Sequence, residues 1–119
     1  MEGKESLVYD LSIIKEASED IDYLKEITGY FIQNSGAMLE ALEKAYKDAD
    51  WDEVQNAAHK LSSNFYMFGL NEGAKALATI DVNLKNKVVL KKMPDLILIA
   101  KRQGELAIKQ LKRDFHDLL

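Results

Sequence analysis

Between Asp50 and Leu70 the chain reads DWDEVQNAAHKLSSNFYMFGL, and no other stretch restricts the fold as much. At ~100° per residue, Val54, Ala58, Leu61, Phe65 and Phe68 fall in one narrow stripe with Trp51 at its edge, the pattern of a helix that buries one face. Asp50 and Glu53 form a capping arrangement at its start, and Gly69 can end it. His59 points ~140° away from the centre of the stripe, with Asp52, Gln55, Asn56, Ser62, Ser63 and Tyr66 around it. Its neighbours one turn away are Gln55, Asn56, Ser62 and Ser63, all small or uncharged, so the imidazole is expected to be wet and open to a partner.

The rest of the chain repeats this design. Leu11, Ile14 and Ala17 can form one side of a short helix starting near Asp10, placed as a lid on the bundle. Asp20 or Ser18 can cap a long helix running to about Asp48, with Leu24, Ile27, Phe31, Met38, Leu42 and Ala45 recurring at three and four. Asn34-Ser35-Gly36-Ala37 is its weak point, because an interior glycine costs ~1 kcal/mol relative to alanine. If that helix is unbroken, counting back from a turn near Ala49 puts these small residues near the level of His59.

Asn71 can cap a further helix through Leu84, with Leu77, Ile80 and Leu84 inward. Lys85, Lys87, Lys91 and Lys92 read as a solvated connection. Pro94 suits the first turn of a last helix whose stripe is Ile97, Ala100, Gly104, Ile108, Leu111, Phe115 and Leu118. Long helices joined by short turns, each with one apolar stripe, predict an all-α fold, an antiparallel four-helix bundle with a short additional N-terminal helix.

At 119 residues and 47% hydrophobic the chain has room for one core, so residues 1–8 read as a loose polar leader and 9–119 as a single domain. Met1 and that short leader point to a free-standing protein. One proline and the scarcity of β-rich runs agree with helices. With no cysteine, disulfides and thiolate metal sites are excluded. The longest apolar run, Leu96 to Ala100, is far too short for a membrane span, and the N-terminus lacks the apolar core of a secretion signal, so a cytoplasmic protein is expected. A net charge of −4 argues against nucleic acid as a partner.

No GxxxxGK[ST] loop or glycine-rich nucleotide signature occurs, which leaves no basis for autonomous kinase activity. Two histidines without an HExxH spacing make a poor zinc site, and His116 beside Asp117 reads as a surface residue at a helix end. Carboxylate–lysine spacings such as Glu40 with Lys44 read as solvated i, i+4 pairs.

The segment Ala58-His59-Lys60-Leu61, followed by small residues and by Phe68-Gly69, resembles the histidine phosphotransfer (HPt) domain, whose central helix reads roughly A-H-x-L-K-G-S-x-x-x-L-G. Tyr9-Asp10-Leu11 before the short helix, Phe31 in the long one and Asp50-Trp51 ahead of the histidine helix extend the resemblance from about Tyr9 to Phe115. Two positions depart from it: Ser62 stands where the family has lysine, and Ser63 where it has glycine. The first removes a cation suited to a phosphate; the second keeps the surface small. Lys60 is ~100° round the helix from His59, although its flexible side chain can lean toward a phosphoryl group and compensate.

The resemblance implies that His59 accepts a phosphoryl group from the aspartyl phosphate of a receiver domain and passes it to a second receiver aspartate. Response-regulator receiver domains and a hybrid sensor histidine kinase would be the partners. A neutral imidazole has one lone-pair nitrogen with which to attack phosphorus. The bundle needs no cofactor or metal, because the acidic pocket and Mg²⁺ of the transfer belong to the receiver. Lys60, Gln55, Ser62 and Ser63 are candidates for contacting the phosphoryl oxygens or the imidazole, and Tyr66 and Asn56 for the docking surface. The missing lysine and glycine keep open a second class, an adaptor that binds receiver or kinase domains without being phosphorylated.

Overall fold

The computed structural model describes residues 6–115, and five helices account for most of them: α1 (Ser12–Ala17), α2 (Ile21–Lys47), α3 (Trp51–Met67), α4 (Asn71–Lys85) and α5 (Met93–Asp114). No strand occurs among the described residues. Helix α3 packs against α2 and α4, and α5 closes the bundle against both of those. The expected four-helix bundle with a short N-terminal helix is the fold observed. His116 and Leu118 lie outside the described residues.

The four long helices bury most of the stripe that periodicity predicts, with Ile27, Met38, Ile108 and Phe115 half-buried at its edges. On the short α1, Ile14 is buried and Leu11 at its cap half-buried, but Ala17, expected inward, is exposed. Val54, Ala58, Leu61, Phe65 and Phe68 are buried on the histidine helix, and Trp51 is half-buried at the edge. Asp50 caps α3 by accepting the Glu53 amide at 3.3 Å. Helix α2 runs through Gly36 without a break and buries Leu24, Phe31, Leu39, Leu42 and Ala45. Asp20 takes its N-cap position without a side-chain capping bond; its own amide instead donates to Ser18 Oγ.

Phe65 sits at the centre. The Phe31 ring stacks at 4.2 Å on Phe68 and reaches Phe65 at 6.1 Å. Gly73 on α4 and Gly104 on α5 press against the Phe65 ring so closely that a Cβ at either would stand 2.8 or 2.7 Å from a ring carbon. Burying such a ring contributes about 2–3 kcal/mol, and the two glycines provide its space.

The turn from α3 to α4 is tight. Gly69 adopts a left-handed φ of +73°, its amide donates to the Tyr66 carbonyl, and the Leu70 amide donates to the Phe65 carbonyl. The Asp10 amide donates to the Phe68 carbonyl at 2.8 Å, and a Cβ at Gly69 would meet Asp10 at 2.6 Å, so the strap before α1 lies directly on this turn. Asn71, expected as an N-cap, is instead the first residue of α4, with Leu70 in the cap position. An amide of that first turn, Gly73 N–H, donates to Gln103 Oε1 of α5, so the partner comes from across the bundle.

Three other expectations change. Residues 6–8 of the leader are held down: the buried Gln110 side chain accepts the Val8 amide at 2.8 Å and donates to the Ser6 carbonyl at 3.0 Å, as a buried amide requires. Lys44 pairs with Asp48 at 2.9 Å, one turn toward the C-terminus of α2. The small residues Asn34 to Ala37 do not stand level with His59. Asn64 meets Met38, and Asn34 shares a groove with Asn64, Met67 and Phe68, which places them more than one turn beyond the histidine. The short turn at 48–50, with Ala49 at φ +54°, starts the antiparallel pairing at once and brings the region of Glu40 to Glu43 opposite His59.

Candidate functional site

His59 projects from the middle of α3, and its side chain is 59% exposed. The ring is nevertheless held. Its Nδ1 lies 2.9 Å from Oδ2 of Asp81 on α4, a carboxylate whose side chain is only 9% exposed. The other oxygen, Oδ1, accepts Nε2–H of Gln55 at 3.2 Å. Gln55 is one turn before His59, so two residues of one helix face grip a single acid of the next helix.

The local sequence explains this grip. Asp81 follows Leu77 by four residues and precedes Leu84 by three, so it shares the inward stripe of α4, and the helix turns it toward α3. A carboxylate so buried requires donors, and the imidazole and the amide supply them. Because an ionised carboxylate only accepts, the ring proton belongs on Nδ1. In the neutral ring the lone pair is therefore on Nε2, the nitrogen turned away from Asp81. The arrangement is a held imidazole with one open nitrogen, a geometry suited to nucleophilic attack.

The other candidate residues fall into two groups. Gln55 is brought to the imidazole only indirectly, through Asp81. Ser62 Oγ–H donates to the His59 carbonyl at 2.9 Å, which turns its proton back to the helix and leaves only lone pairs outward. Ser63, Asn56 and Lys60 are exposed. Tyr66 is 57% exposed and, with Ser62 and Ser63, lines an open groove completed by Ala74, Lys75 and Ala78 of α4. A second groove, between Tyr30 and Phe31 of α2 and Met67 and Phe68 at the end of α3, lies beyond them.

Sequence reasoning missed Asp81 on α4, and it did not place Lys75 of the same helix beside the groove. For Asp81 a signal existed, since an acid at the fourth position after Leu77 on an apolar stripe must either find donors or leave the core. Lys75 had no such signal. Among the described residues no three His, Cys, Asp or Glu side chains cluster as metal ligands, and no helix is long and apolar enough to cross a membrane.

Comparison with known proteins gives this geometry a context. A family model described as Hpt domain matches residues 26–96, a span that contains His59, Gln55 and Asp81. The fold is similar to that of histidine-containing phosphotransfer protein B (HptB) from Pseudomonas aeruginosa PAO1, with a TM-score of 0.79 at 19% identity over 97% of this chain and 100% of that one. Among curated proteins none matches. Since the family model takes in more than half of the chain, including the helix that carries the held histidine, this protein belongs to the Hpt domain family.

Proposed function

We propose that Nε2 of His59 is the atom on which this histidine phosphotransfer protein carries its phosphoryl group. The donor is the aspartyl phosphate of a receiver domain, free or within a hybrid sensor kinase, and the acceptor is a second receiver aspartate. One observation carries this reading: the exposed His59 ring has its Nδ1 committed to a buried carboxylate, which leaves Nε2 as the lone-pair nitrogen directed outward. A nucleophile fixed in direction gains from orientation, since the attacking nitrogen must align with the breaking P–O bond.

The chain contributes the nucleophile and its support, whereas Mg²⁺ and the acidic pocket come from the receiver. It acts as a carrier in the cytoplasm without kinase activity of its own. Asn56, Ser63 and Tyr66, exposed on α3 within two turns of the histidine, are our candidates for the docking surface, and exposed Lys60 is the candidate cation for the phosphoryl group. Incubation with a phosphorylated receiver domain tests the reading: a label that is acid-labile and base-stable once the protein is denatured is expected on the chain and absent from His59→Gln. Receiver binding without any label would favour the phosphorylation-independent adaptor, the class that the loss of the family lysine at Ser62 had kept open.

A further inference from the structure

We infer that Asp81 governs release of the phosphoryl group as well as its capture, making this chain a carrier that discharges readily at neutral and mildly alkaline pH. The inference rests on the carrier reading above and extends it to the lifetime of the phosphorylated state.

Nε2 attacks phosphorus with its lone pair, the bond from phosphorus to the leaving group breaks, and that group departs with its electron pair. The ring keeps its Nδ1 proton throughout and becomes an imidazolium, whose positive charge faces the Asp81 carboxylate at 2.9 Å. In discharge an oxygen of water or of a receiver carboxylate attacks phosphorus, the P–Nε2 bond breaks, and its electron pair returns to Nε2. The ring that leaves is then the neutral Nδ1–H tautomer from which the cycle began. No proton has to enter or leave the ring in either direction.

That economy holds only while Nδ1 stays protonated after phosphorylation. If the proton is lost, the leaving group is an imidazolide anion, a far poorer one, and the P–N bond persists. The Asp81 carboxylate, 2.9 Å from Nδ1, is the acceptor that holds this proton in a hydrogen bond, and Gln55 keeps that carboxylate aimed by donating to its second oxygen. The other charges near the ring are weaker influences. Lys60 is on the same helix but ~100° round, and Lys85 stands one turn past Asp81 on α4. On α2, the other helix packed against α3, Glu40 and Lys44 stand at the same level, Lys44 being paired with Asp48. Only Asp81 touches the ring nitrogen among the described residues.

The test needs no cognate partner. Phosphoramidate, a small phosphoryl donor that releases ammonia, is used to load the intact chain, and the phosphohistidine signal is followed by ³¹P NMR as water discharges it between mildly acidic and mildly alkaline pH. Asp81→Asn is expected to prolong the signal by about tenfold at mildly alkaline pH, an effect of removing one adjacent opposite charge. At mildly acidic pH, where the solvent itself supplies protons to the leaving ring, the two lifetimes converge. Asp81→Glu restores much of the wild-type profile, and circular dichroism verifies that each variant is folded.

Equal lifetimes for Asp81→Asn and wild type at every pH would overturn the inference and leave the carrier reading intact. So would a uniform change across the pH range, the mark of a merely structural role. Failure of wild type to take any label on His59 would instead remove the carrier reading, and the inference with it.

Discussion

Two carboxylates in this bundle each hold a ring, and they do so to opposite ends. Asp114 near the end of α5 accepts the Tyr9 hydroxyl at 2.6 Å, and Asp81 on α4 faces His59 Nδ1 at 2.9 Å. Tyrosine has a single polar atom, so once Asp114 takes it the ring has no further chemistry to offer. Histidine has two, and occupying one defines the other. The first pair ties down a strap, with Asp10 on the α3–α4 turn and Val8 on Gln110 as its other fastenings. The second leaves a ring nitrogen unoccupied in solvent, the atom proposed above as the nucleophile. A hydrogen bond of similar length is therefore structural in one place and chemical in the other, depending on what the held ring has left over.

The comparison can be broken most directly at the histidine. His59→Gln is expected to abolish phosphoryl labelling altogether while leaving the melting temperature close to wild type, because a side chain 59% exposed contributes little packing. Residual labelling at wild-type level would show that the Asp81 pair is no more chemical than the Tyr9 pair. The fold should respond in the reverse sense. Gly104→Ala drives a methyl to 2.7 Å from the Phe65 ring and 3.0 Å from Leu39, a clash among buried groups that is expected to cost about 1–3 kcal/mol in chemical denaturation. Labelling of the protein that remains folded is expected to be unchanged.

Smaller effects sharpen the contrast. Gln55→Ala frees one oxygen of Asp81 and should slow phosphoryl acceptance by a few-fold with the melting temperature nearly constant, as stopped-time labelling would reveal. Tyr9→Phe removes a partly exposed hydrogen bond and is expected to cost less than about 1 kcal/mol, with no change in labelling. Burial and then the bond to Asp114 push the Tyr9 phenol up to about 12 from the ordinary 10.0. A raised phenol holds its proton better folded than unfolded, so the strap's contribution is complete below 10.0 and fades as pH rises through about 12. Asp114, lowered by Arg113 and by Tyr9, works in the opposite direction: its contribution is present above the ordinary carboxylate range and fades as pH falls. Phenolate absorbance against pH, compared with Tyr9→Phe, reads the alkaline limb directly; a tyrosine set titrating entirely near 10.0 would contradict it.

The sequence made one kind of information readable and hid another. Periodicity reports which face of a helix is buried, and Val54, Ala58, Leu61 and Phe65 on α3 needed no more than that. The outward direction of His59 followed from the same arithmetic. What one helix presents to the next depends on rotation and register, which are fixed by turns and by distant packing. Asp81 is 22 residues from His59 in sequence, and only the α3–α4 turn brings the two together. The same ignorance of register misplaced Asn34 to Ala37 by more than a turn. The cap of α4 was misread for a related reason: Gln103, the residue that satisfies the Gly73 amide, comes from another helix.

The tight turn around Gly69 has a genetic consequence. Adding or removing one residue between Lys60 and Ile80 would rotate Asp81 by ~100° about the axis of α4 and shift it 1.5 Å along it, unless the turn absorbed the change. Strapped by Asp10 and closed by a left-handed glycine, this turn has little slack. Substitutions across most of this interval should leave the histidine pair in place, whereas a single inserted or deleted codon should separate it without altering either member. The spacing of 22 residues is accordingly a heritable part of the site, as much as the two side chains are.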